Sequence, residues 1–286
     1  TEIYTLSLHD ALPISCARPF AAVPRRSASE LERHRPMNIA TARRLDGLLV
    51  PWVRAWSRCR RQAPPVPPAD LPELGSEGPV VVLKLVGLGS LVLLAPTLMA
   101  FQQRTGRRVV LLTVVANRPL LDLIDWGVEP AYLHTVPDVA LWSDALRFLH
   151  RLRRSHPAAV VDLEFHSALT TLLGRALRAP VHTAVDAPWR RGLVPHGIQV
   201  PEDCHFADLS RTMFAALAGA PLSPSPAIPW RSGCLTSLAP SGRKRVAVNI
   251  NAGEMCLERR VPTAVFRALM LDLARHLPVE FHLLGD

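Results

Sequence analysis

Residues 80–101 read VVVLKLVGLGSLVLLAPTLMAF, and the reading of the whole chain follows from them. Val80, Val81, Val82, Leu83 and Leu85 surround one Lys84. Such a continuous apolar run is what a parallel strand shows when helices cover both faces of its sheet. Gly87-Leu88-Gly89 then supplies a tight turn, in which the backbone can reverse and approach a ligand closely. A second apolar run follows, with Pro96 inside it. A helix beginning at Ser90 would aim its free N–H groups into the same crevice, which suits a phosphate or a sugar hydroxyl. The stretch reads as the first β-loop-α unit of a nucleotide-handling α/β domain.

Other glycine-turn motifs fit less well. A dinucleotide fingerprint needs a third glycine where Val92 stands and an acidic residue about 20 positions on. The next strand ends instead in Thr113-Val114-Val115-Ala116-Asn117. A Walker A loop needs a Lys directly after its glycines, and this turn has none. Residues 85–101 form an uncharged run of 17 residues, short for a membrane span. Its glycines, its proline and the α/β alternation that follows favour strand plus helix.

The 286 residues have room for two medium domains and a sizeable core. Only Lys84 and Lys244 among the 33 basic residues are lysines, and the formal charge of +9 permits an anionic partner such as nucleic acid, a membrane surface or a phosphorylated sugar. Cys16, Cys59, Cys204, Cys234 and Cys256 are odd in number, dispersed and without a CxxC pair, so they read as reduced thiols of a cytoplasmic protein. The eleven histidines lack HExxH or HxxxH spacing, so no metal is expected.

Residues 1–14, TEIYTLSLHDALPI, are similar to one reading frame of a sequencing adapter. Residues 1–15 are therefore set aside, and 16–36, which lack periodicity, read as translated upstream bases before a start at Met37. Residues 37–62 form a basic amphipathic helix: Leu45, Leu48, Leu49, Trp52, Val53 and Trp56 recur at helical spacing beside six arginines, with Pro51 as a kink. Two readings stand, contact with an anionic membrane and a helix packed on the domain with a solvated basic face. Residues 63–78 read as a proline-rich linker.

The first domain spans 79–218. Within it strands are expected at 107–115, 131–136 and 158–165, and helices at 119–126, 140–154, 167–177 and 204–217. This alternation implies a doubly wound parallel sheet. Residues 219–243 read as a hinge; a second α/β unit begins in 244–286, with strands at 245–250 and 279–284 about a helix at 262–276.

In order and spacing these motifs resemble glycosyltransferase family 9, the lipopolysaccharide heptosyltransferase group. The family's Gly-x-Gly-Asp and Thr-Pro appear as Gly87-Leu88-Gly89-Ser90 and Ala95-Pro96, and its Asp-Leu-Gln strand end as Asp162-Leu163-Glu164. The start of its second domain, ending in Lys-Arg-Trp-Pro, appears as Asn249-Ile250-Asn251-Ala252-Gly253 and Arg259-Arg260-Val261-Pro262. The resemblance implies a GT-B type fold, two Rossmann-like doubly wound parallel-sheet domains, the second incomplete here. It implies inverting, metal-independent transfer of a heptose or related sugar from a nucleotide-diphosphate donor to a lipopolysaccharide-core or other cell-envelope acceptor, with no further cofactor. The expected partners are a nucleotide sugar and a glycolipid acceptor, and no nucleic acid; residues 37–62 add an anionic membrane surface, for a cytoplasmic protein peripheral on the inner face of the cytoplasmic membrane. The family's Asp-Ser/Thr-Gly-x-x-His donor motif is absent from the sequence, so this stretch alone is expected to be inactive.

The resemblance puts a catalytic Asp at Ser90, whose hydroxyl is no base at neutral pH. Asp162 and Glu164, two apart at a strand's C-terminal end, are expected on one face of the crevice. Glu164 is the leading substitute base, with His166 next. Gly87, Gly89, Asp162, Arg190 and Arg191 are the acceptor-side candidates, although Arg190 and Arg191 also suit a surface turn. Asn251, Gly253 and Arg259 are those for the donor diphosphate. Two other readings are a degenerate, non-catalytic glycan- or lipid-binding member of the fold and a nucleotide-sugar epimerase or dehydrogenase.

Overall fold

The computed structural model describes residues 39–60, 63–75, 77–134, 139–165, 167–200, 204–223, 228, 230–231, 242–249 and 261–284. They fall into two compact units, 39–231 and 242–284. The first 38 residues lie outside the described ones.

In the first unit β1 (Val80–Leu83) is central, as its apolar run requires. It is flanked by β2 (Val109–Val114) and β4 (Ala159–Asp162), and every pairing in the six-stranded sheet is parallel. The order is β3-β2-β1-β4-β5-β6, with β3 at Glu129–Leu133, β5 at Val181–Val185 and β6 at His196–Ile198. Alternate residues of β1 feed two layers. Val80 and Val82 pack under α2 (Leu88–Thr105) and α6 (Phe206–Leu217). Val81 and Leu83 pack under α4 (Val139–Arg154) and α5 (Ala168–Leu177). The second unit is a βαβ element: β7 (Lys244–Asn249) pairs in parallel with β8 (Val279–Leu284), joined through α7 (Thr263–His276). The first unit is a doubly wound parallel sheet and the second a single βαβ element, as the expected alternation of strands and helices requires.

Several elements depart from the sequence reading. Helix α2 begins at Leu88 with Gly87 at its cap, so Ser90 lies in its first turn and caps nothing. The helix expected at 119–126 is one turn, α3 (Arg118–Leu121). Beyond it Ile124 pairs with Trp230. Strand β3 starts two residues earlier than expected, and β4 stops at Asp162. Strands β5 and β6 extend the sheet beyond the expected elements.

Residues 63–75 act as a strap, not as a spacer. Val66 bonds along the edge of β6 and the residue after it, through its N–H to Gly197 O at 2.8 Å and its carbonyl to Gln199 N at 2.9 Å. Leu71 and Leu74 are buried, and Leu74 N donates to Leu217 O at 3.1 Å at the end of α6. Proline-rich composition describes the backbone here, but the two leucines decide where it lies. Leu74→Ala is expected to lower the unfolding free energy by about 2–3 kcal/mol. Urea denaturation reads this directly, and no change would return 63–75 to the status of a free linker.

Helix α1 (Ile39–Arg58) is continuous through Pro51 and is part of the same unit. Val53 and Ser57 are buried. Asp46 Oδ1 accepts from Ala168 N at 2.8 Å, capping α5 from outside, and burial pushes that carboxyl up. Ser57 Oγ accepts from Gly192 N at 3.1 Å. A Cβ at Gly192 would stand 2.4 Å from Ser57 O, so only glycine allows the helix this close.

Candidate active site

The sheet order places a topological switch between β1 and β4. From β1 the chain crosses over to β2 and β3 on one side, and from β4 to β5 and β6 on the other. The loops leaving the C-terminal ends of β1 and β4 therefore diverge, and in open α/β sheets the crevice so formed takes the ligand.

Glu164 closes the floor of this crevice. Its Oε1 accepts three hydrogen bonds, from Lys84 Nζ at 3.0 Å, Leu85 N at 2.7 Å and Val86 N at 2.8 Å. The side chains of Lys84 and Glu164 are 6% and 13% exposed, so this is a nearly dry ion pair. From the other side Asn117 Nδ2 donates to Leu85 O at 2.9 Å and to Thr113 Oγ1 at 2.7 Å. Glu164 and Asn117 thus fix the Leu85–Val86 peptide units before the chain reverses. Gly87 then takes a φ of 100°, a conformation open to glycine. A Cβ there would meet Ser90 Oγ at 3.2 Å and Lys84 Nζ at 4.0 Å, so turn, hydroxyl and ammonium share one small space. At Gly89 a Cβ would meet nothing within 4 Å, which leaves the first turn of α2 open from outside.

Lys84 and Asn117 are the residues the sequence reading missed. The signal for Lys84 was present: a single charge inside an apolar strand has to find a buried counterion. Phe206 of α6 also holds it, with the ammonium 5.9 Å from the ring centroid.

Asp162 does not share this space. Strand β4 ends with it, so the alternation that would put Asp162 and Glu164 on one face stops before Glu164. Asp162 is buried beneath α5. Its Oδ2 accepts from Thr170 Oγ1 at 3.0 Å and Arg190 Nη1 at 3.2 Å, and its Oδ1 accepts from Glu164 N at 3.0 Å. Burial pushes its carboxyl up to about 7, against the opposing pull of Arg190.

Arg190 is a correction. The residue expected to grip an acceptor is fully buried, and its guanidinium is committed to the interior. Nε and Nη2 donate to Val185 O at 3.1 and 2.7 Å, Nη1 also reaches Thr171 Oγ1 at 3.2 Å, and the group lies 5.3 Å from the Trp189 ring centroid. Arg191 forks onto Asp186, Nε to Oδ1 at 2.8 Å and Nη2 to Oδ2 at 2.6 Å, in the turn before β6. Of the candidates, then, the structure brings Gly87, Ser90 and Glu164 together about Lys84, leaves Gly89 open in the first turn of α2, and sets Asp162, Arg190 and Arg191 apart. His166, Asn251, Gly253 and Arg259 lie outside the described residues. Among the described residues no group of three His, Cys, Asp or Glu stands in a metal-holding cluster.

Neither a family model nor a curated protein sequence matches the chain. Solved structures do. A glycosyl transferase family 9 protein from Veillonella parvula DSM 2008 superposes with a TM-score of 0.57 at 16% identity, over 74% of this chain and 63% of that one. The E. coli heptosyltransferase WaaC with ADP-2-deoxy-2-fluoro heptose gives a TM-score of 0.52 at 16% identity, over 71% of this chain and 68% of WaaC. WaaC with ADP gives 0.52 at 15%, over 71% and 67%. This chain therefore has the fold of the family its motifs resemble, and it spans under two thirds of the length of the Veillonella protein.

Proposed function

We propose that the chain belongs to a glycosyltransferase that moves a heptose or related sugar from a nucleotide-diphosphate donor to a cell-envelope glycan, with inversion and without a metal. The observation that carries this reading is the β1–β4 crevice, where Gly87, Ser90, Lys84 and Glu164 converge at the position the family motif assigns to the acceptor. Glu164 has Oε1 engaged by three donors, which leaves Oε2 as the atom to take the acceptor hydroxyl's proton. Lys84 holds positive charge at the floor of the same crevice. Arg259 is the residue assigned to the leaving diphosphate, whose developing charge a guanidinium fork stabilises. The WaaC structures hold ADP and an ADP-heptose analogue, which makes an adenine nucleotide sugar the donor to try first.

One observation favours a second reading. Ser90 stands where the family pattern has Asp, and the Glu164 oxygen nearest the loop is fully engaged, as a binding protein without turnover would allow. The test uses the protein extended through the Asp-Ser/Thr-Gly-x-x-His segment that the resemblance calls for. Calorimetric titration with ADP-heptose is expected to give a dissociation constant between about 1 μM and 1 mM. Mass spectrometry of a lipopolysaccharide-core acceptor is expected to show one added heptose. Binding without transfer selects the second reading, and no binding of any nucleotide sugar removes both.

A further inference from the structure

Helix α1 has three faces. Val53 and Ser57 point into the unit. Leu48, Trp52 and Trp56 recur every four residues along a second strip, where Leu48 is 71% and Trp52 76% exposed. Arg54 and Arg58 stand exposed on the third. The Arg60 guanidinium lies 5.8 Å from the Trp56 ring centroid. The lone acid of the helix, Asp46, is turned inward to cap α5. Packing against the unit does not use these tryptophans, and leaving such rings in water forgoes hydrophobic free energy.

A second helix on the same side of the sheet repeats the pattern. Helix α4 turns Leu141, Ala145, Phe148 and Leu152 inward and leaves Val139, Trp142 and Leu146 exposed. Arg153 Nε donates to Ala176 O of α5 at 2.6 Å. Trp142 and Leu146 share a helical flank with Arg153, so the strip borders α5. Helix α5 packs against both α4 and α1, and its Leu169, Leu173 and Leu177 are buried. The exposed apolar strips thus belong to the two helices that flank α5. The α4 strip runs into a groove of about 580 Å³ lined by Leu146, Leu149, His150, Arg153, Arg154 and His156. Two leucines there lie among two arginines and two histidines.

We propose that the layer of α1, α5 and α4 docks on a bilayer containing anionic phospholipid. Trp52, Trp56 and Trp142 enter the headgroup region, where indole rings with one polar edge are favoured. Arg54, Arg58 and Arg60 meet the negative surface, and the groove beside Arg153 and Arg154 accepts a lipid phosphate. No described helix is long and apolar enough to cross a membrane, so the contact lies along the surface. A nucleic acid would leave Leu48, Val139 and Leu146 unused. The proposal does not depend on the transferase reading, and its test reads lipid binding alone.

The full chain is floated with vesicles of phosphatidylglycerol and phosphatidylcholine, and with phosphatidylcholine alone. Binding is expected to be about tenfold or more stronger on the anionic vesicles. It should weaken as salt shortens the Debye length from about 30 Å at 0.01 M to about 3 Å at 1 M. Trp52→Ser with Trp56→Ser, and Leu146→Asp separately, should each lower binding by about tenfold without moving the melting temperature, since these side chains are exposed. Arg54→Glu with Arg58→Glu should abolish the preference for anionic lipid. Equal binding to both vesicle types, or none, overturns the proposal. Unchanged binding of Leu146→Asp removes α4 and with it the two-helix platform. If the chain self-associates without lipid and the tryptophan variants abolish that instead, the face is a contact between copies and the proposal fails.

Discussion

Arg190→Met is expected to cost the folded chain about 3–5 kcal/mol above neutral pH and distinctly less below it. The pair it breaks is almost wholly buried, with side-chain exposures of 1% for Arg190 and 0% for Asp162. Burial raises the Asp162 carboxyl from 3.8 to about 7 while Arg190 opposes the rise. A carboxyl whose folded value lies above its unfolded one binds its proton more tightly in the folded state. Its contribution to stability is complete below about pH 4 and is lost as pH climbs through about 7. Removing Arg190 lifts the folded value further and deepens that loss. The deficit of Arg190→Met relative to the parent must therefore grow between about pH 6 and about pH 9, as ionisation begins to strand an unpaired carboxylate. Urea unfolding at the two pH values reads this, and an equal deficit at both would count against a buried pair. Asp162→Leu combined with Arg190→Met should recover most of the loss, because apolar replacement removes both desolvation costs together.

The sequence showed best those elements whose residue pattern is also their packing pattern. Residues 80–83 are apolar at every position because β1 is covered on both faces, and β8 falls on the residues expected. Strand β5 was hidden by its composition. It reads Val181-His182-Thr183-Ala184-Val185, with His182 and Thr183 buried. His182 sits against Gly174, where a Cβ would come within 2.5 Å of its ring, and neither ring nitrogen has a hydrogen-bond partner. Burial lowers it to about 3. Such a residue does not read as core from sequence. Strand β6 has three residues and no period to detect. Of the adjacent Arg190 and Arg191, one folds inward and one forks to a carboxylate on the surface, and only the location of Asp162 beneath α5 distinguishes them. At the crevice, the strand motif marked Gly87 and Glu164, while Asn117 acts through a loop 32 residues away in sequence from Leu85.

If Glu164 takes the acceptor proton, Glu164→Gln in the heptose-transfer assay should lower turnover by about 10² to 10⁴-fold. The ion pair makes this substitution less simple than strand register suggested. Gln still offers a carbonyl oxygen to Leu85 N and Val86 N, so the loop stays anchored. It also leaves the Lys84 ammonium buried without a counterion, and a loss of about 3–5 kcal/mol in stability is expected from that alone. Lower turnover could then reflect a displaced Lys84. The double variant Lys84→Met with Glu164→Gln separates the two effects, since it removes the stranded charge and should recover most of the lost stability. If the carboxylate is the base, turnover stays low in the double variant despite that recovery. If Glu164 only positions Lys84, Lys84→Met alone should match Glu164→Gln in turnover. Ser90→Ala should cost less than either, because Ser90 lies inside the first turn of α2 and neither caps the helix nor carries a basic group. Near-full turnover in Glu164→Gln would end the assignment and pass it to His166.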